Sequence, residues 1–91
     1  RNAIEREQAS RRQSLISIER QRLNLSLAET RLNRGQELLA RQMIGQSEFD
    51  DLRNARDLAR VELQSSEESL RRAEAILSEA REQLAKTDIL A

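Results

Sequence analysis

Apolar side chains return at nearly every seventh position of the first half: Ile4, Ile18, Leu25, Leu32 and Leu39, with Arg11 the single break in the series. A seven-residue hydrophobic repeat marks a left-handed coiled coil, because 3.5 residues per turn keeps one stripe facing a partner helix. The pattern predicts a first helix from about residue 2 to about residue 43. Leu15, Leu23, Leu27, Leu38 and Met43 widen the stripe, so they either pack within the same helix pair or leave a second apolar interface.

The second half repeats more strictly. Ala59, Leu63, Ser66, Leu70, Ala73, Leu77, Ala80, Leu84 and Thr87 alternate spacings of four and three, with leucine and a small residue taking turns. A second helix is expected from about 47 to about 87, with a tip at about 44–47 between the two. Folding the chain about position 45 or 46 sets Leu39 against Leu52, Leu32 against Ala59, Leu25 against Ser66 and Ile18 against Ala73. Most such layers pair a large side chain with a small one, which lets two antiparallel helices approach without voids. The expected fold is all-α: a long two-helix antiparallel coiled-coil hairpin, each arm roughly 60 Å long at 1.5 Å per residue.

Composition supports a rod rather than a globule. The 91 residues include no Pro, Cys, His, Trp or Tyr, one Phe and two Gly, and 35% are charged. Straight-chain and small residues dominate, and they lose little side-chain entropy in a helix. The few large apolar side chains contribute about 1.5–3 kcal/mol each before ordering entropy is subtracted, so an isolated hairpin is expected to lean on neighbours.

The net charge is zero, but residues 1–45 carry nine Arg and five Glu, while residues 46–91 carry seven Arg or Lys and eleven Asp or Glu. The two halves therefore attract each other. Acid-first pairs four residues apart, Glu7–Arg11, Glu37–Arg41, Glu67–Arg71, Glu68–Arg72 and Glu82–Lys86, account for much of the charge as helix support.

Chemistry-bearing groupings are sparse. Without Cys there are no thiolate metal sites, and without His the commonest general base is missing. Asp50 and Asp51 are adjacent, but neighbours on a helix point about 100° apart and do not share a site. A first-turn position opposite the helix dipole explains them better. No catalytic residue, metal or cofactor is expected. A nucleic-acid arm would carry excess cations and stacking aromatics, and neither is present.

The tip, Arg34 to Asp50, holds both glycines. Gly45 is expected as a left-handed cap on the first helix, with Ser47 and Asp50, or Gly45 and Glu48, opening the second. Gly35 sits inside a helix at a cost of roughly 1 kcal/mol against Ala, so it is expected to make room, either for Arg56 opposite or for another chain.

Arg34, Leu38, Gly45, Glu48 and Asp50 together resemble the hairpin tip of periplasmic adaptor proteins, or membrane fusion proteins, of the HlyD, AcrA and MacA kind. That family places an Arg, a Leu four residues on and a Ser seven further on at its tip, followed by a Glu and an Asp; Gly45 stands here at the serine position. The closing stretch, with Leu84, Thr87, Ile89 and Ala91, resembles the family's return to a lipoyl-like domain. The resemblance implies a hairpin belonging to a larger adaptor, in the periplasm, with the parent anchored to the inner membrane and assembled as a ring of about six. It also implies that Arg34 and Leu38 dock onto a TolC-type outer-membrane channel. Arg41 and Gln42 are second-rank candidates for the same contact, with ordinary solvated surface as the other reading of each, and Ser47 is the expected source of a hydroxyl in place of the missing one. An ABC or proton-driven inner-membrane transporter would be reached through other domains. The alternative expectation is a plain coiled-coil spacer, either a hairpin or an antiparallel dimer, with no specific tip partner.

Overall fold

The computed structural model describes residues 2–90, with side chains as far as Thr87. Two helices account for nearly all of it: α1, Asn2–Ala40, and α2, Gln46–Leu90. They pack antiparallel as a hairpin measuring 73 × 14 × 13 Å over its Cα atoms. The continuity follows from the sequence, since neither helix contains Pro and only α1 contains a glycine. No helix among the described residues is long and apolar enough to cross a membrane.

The core is a single seam. Ile18, Leu32, Ala73 and Leu77 are its buried apolar side chains, and Gly35 is buried with them. Leu25, Leu63 and Leu70 are half-buried on the same stripes. Polar residues share the seam: the Ser17 and Ser66 hydroxyls lie 3.2 Å apart across the helices, partly buried. One of them donates, and a satisfied pair of this kind adds about 1 kcal/mol net.

The register differs from the sequence expectation. Leu52 packs on Gly35, not on Leu39, and Gly35 does not face Arg56. Ser66 meets Ser17 rather than Leu25, and Arg11 reaches Glu74 rather than Ala80. The helices are displaced by four to eight residues, about one to two turns, because α1 stops at Ala40, three residues early, and the turn centres on Met43. Strict large-on-small layering goes with the old register; Ala28 and Ala59, for example, line one groove together.

The charge also arranges itself differently. Among the described residues a single ion pair joins the helices, Arg11 to Glu74 at 3.8 Å, with both side chains about half exposed. Within α2, Arg53 pairs with Asp50, Arg56 with Asp57 and Arg71 with Glu68. None of the five acid-first pairs four apart closes among the described residues. Each is worth only about 0.2–0.5 kcal/mol, so a competing neighbour suffices to take its carboxylate, as Arg71 takes Glu68 from Arg72.

Candidate functional site

The reversal between the helices is a five-residue turn, Arg41 to Gly45, and its hydrogen bonds define it. Met43 N–H donates to the Leu38 carbonyl at 2.8 Å and Gln42 N–H to the Leu39 carbonyl at 2.9 Å. This crossed pair, reaching back five and three residues, is a Schellman motif, which closes a helix on a residue in the left-handed region. That residue is Gln42, at φ 59°. Gly45, expected in this role, has no positive φ.

Gly45 instead starts α2. Its carbonyl accepts the first helical bond, from Phe49 N–H at 3.2 Å, which makes it the N-cap. Of the two openings expected for α2 the structure has Gly45 with Glu48: Ser47 is the second residue of the helix rather than its cap, and Glu48 rather than Asp50 falls in the first turn. Asp50 accepts from Gln46 at 3.0 Å and from Arg53 at 3.2 Å. Arg53 also lies over the Phe49 ring, 6.0 Å from its centre, a cation–π contact worth about 0.5–1 kcal/mol. Asp50 is tied into α2, while Asp51 turns elsewhere.

Asp51 turns to a groove. Arg34 and Leu38, one helical turn apart on α1, line an open depression of about 360 Å³ beside the tip, with Ile44, Asp51 and Leu52. Its floor depends on Gly35: a Cβ there would overlap Leu52 Cδ1 and lie 3.7 Å from Ile44 Cδ1. The missing side chain lets Leu52 of the same chain reach the α1 backbone, so the room at this glycine is taken by neither Arg56 nor another chain, the two occupants expected from the sequence. Arg31 and Arg34 stand on the α1 rim, Glu48 and Asp51 on the α2 rim.

Of the six residues expected at a binding tip, the structure brings Arg34 and Leu38 together, the first exposed and the second half-buried. Arg41, Gln42, Gly45 and Ser47 are exposed around the turn and do not line the groove. A Cβ at Gly45 would meet nothing within 4 Å, so a serine fits there without adjustment. Arg31, Ile44 and Asp51 were not anticipated. For Arg31 the signal was present, since it lies three residues before Arg34 and so shares its face; Ile44 and Asp51 depend on the register.

No protein-family model, characterised protein or solved structure matches this chain. At the far end, Leu84 and Thr87 are exposed, and the Thr87 hydroxyl donates to the Gln83 carbonyl at 2.9 Å. The Ile89 side chain and Ala91, which complete the closing motif, lie outside the described residues. No group of three metal-ligating side chains gathers among the described residues.

Proposed function

We propose that the chain is the hairpin arm of a periplasmic adaptor, which docks by its tip onto a TolC-type outer-membrane channel and links it to an inner-membrane transporter. The observation that carries this reading is the convergence of Arg34 and Leu38 on one groove at the end of a 73 Å rod. In docking, Arg34 would offer its planar fork of N–H donors to carbonyl or carboxylate groups of the channel. Leu38 would supply the apolar contact beside it. Gly45 lacks the hydroxyl of the resembling family; it is the N-cap of α2, where a serine hydroxyl would hold the first turn of that helix.

The experiment is site-specific photocrosslinking in cells that make the parent protein, with the probe at Leu38 and a control at Ile16. Ile16 lies on the exposed shaft, whereas the nearby Ile18 is buried and would report a broken seam. Adducts to an outer-membrane channel from position 38 and not from 16 are the expected result. Adducts from 38 confined to other copies of the same protein, with expression and assembly verified, would replace the adaptor reading with that of a spacer.

A further inference from the structure

Below the tip groove lies a second, of about 310 Å³, which shares Arg31 and Leu52 with it. The residues along both follow one heptad phase. On α1, Asn24, Arg31 and Leu38 are seven apart, as are Leu27 and Arg34; on α2, Glu48, Ala55 and Glu62 are seven apart, as are Asp51 and Leu58. The two grooves therefore form one continuous face of the hairpin. Its middle is apolar, and Leu27 and Leu58, level with each other across it, are left 49% and 60% exposed.

The charges on this face are sorted by helix. The α1 rim carries only cations, Arg31 and Arg34, and the α2 rim only anions, Glu48, Asp51 and Glu62. None of these five belongs to an ion pair among the described residues. A surface with opposite charges on its two rims and matched leucines between them is complementary to itself under one operation, a two-fold rotation about an axis that lies over the face and runs parallel to the hairpin's long axis. That rotation sets α1 of one copy over α2 of the other. Leu27 then meets the second copy's Leu58, and Arg34 meets its Asp51, on both sides at once. Every neighbouring pair of helices becomes antiparallel, the arrangement of a four-helix bundle. The other face-to-face stacking, with tips opposed, would lay α1 on α1 and place cations against cations.

We infer that this face binds a second copy of the same chain, as a parallel two-fold pair of hairpins. The inference does not depend on the adaptor reading. The pair covers Arg34 and Leu38, so pairing and tip docking exclude each other at those side chains.

The test uses the whole 91-residue chain, which has no cysteine of its own. Sedimentation equilibrium over a range of concentrations is expected to give a mass twice 10.5 kDa. Helix content measured by circular dichroism over the same range is expected to hold or to rise as the mass doubles. Leu58→Arg, which sets an unpaired charge in the paired face, is expected to weaken association by roughly tenfold or more. Val61→Arg, equally exposed but outside the grooves, is expected to leave it unchanged. A short bis-maleimide should join chains carrying Leu27→Cys to chains carrying Leu58→Cys in a mixture, and join neither variant to itself. A chain monomeric at every concentration, equal effects of both arginine substitutions, or efficient crosslinking of Leu27→Cys to itself would each overturn the pairing. So would a groove filled by a foreign helix in place of the second copy.

Discussion

The two ends of the hairpin are held by different physics. Near the turn, a glycine and a leucine interlock, Gly35 beneath Leu52, and the backbone reversal is closed by its own hydrogen bonds. Farther down, the seam includes half-buried Glu7, Ser14, Ser17 and Ser66 and a loose Arg11–Glu74 pair, with Ile18, Ala73 and Leu77 as its buried apolar side chains. Shape fixes the tip; a few leucine-sized side chains and polar contacts hold the shaft. The more weakly built end therefore has most to gain from a neighbour.

The largest effect expected from a single truncation is in the shaft. Ile18 is 5% exposed, and Ile18→Ala should lower the unfolding free energy by about 2–3 kcal/mol, at the lower end of the range for core truncations because a thin seam can partly close. Chemical denaturation monitored by circular dichroism measures it, and a loss below that of Leu23→Ala, at a position 64% exposed, would refute the division of labour proposed for the two ends. At the tip, Gly35→Leu should cost about 1–3 kcal/mol by overpacking against Leu52. Gly35→Ala should come out near zero, since a gain of about 1 kcal/mol in helix propensity offsets the displacement of one flexible leucine. A severe loss in the alanine variant would mean that Leu52 cannot move.

Two turn substitutions sharpen the contrast on a finer scale. Gln42→Gly removes a side chain from a left-handed position and should stabilise the hairpin by about 0.5–1 kcal/mol, read as a rise in the thermal midpoint. No rise would show that the Gln42 side chain compensates its own strain. Smallest of all, Gly45→Ser supplies an N-cap hydroxyl and should add a few tenths of a kcal/mol. The same variant separates capping from docking: if channel crosslinking from position 38 increases well beyond what that small stabilisation allows, the hydroxyl touches the partner.

Two helices, their antiparallel order and the neighbourhood of the turn were legible in the heptads of Ile4 to Leu39 and Ala59 to Thr87. The register was not, and the reason lies in Gly45. As the last glycine before the second repeat, it reads as the end of α1, yet it begins α2, because Gln42 takes the left-handed position without being a glycine. An error in the centre of a turn is doubled in the pairing of the arms, so a displacement of about two to four residues becomes one to two helical turns. Arg34 and Leu38 could be placed on one face by their spacing alone. Leu52 and Asp51 could not be set opposite them until the register was known.

The five-residue turn also has a mechanical consequence. Sliding α2 past α1 by four residues would require about 6 Å of additional chain, and a turn hydrogen-bonded from Leu38 to Phe49 contains no slack to supply it. Opposed pulls on the two arms are therefore resisted as shear along the whole seam, as in a lap joint, rather than relieved by paying out loop. A pull on the tip loads both arms alike, so their register is kept and the rod transmits an axial load at constant length.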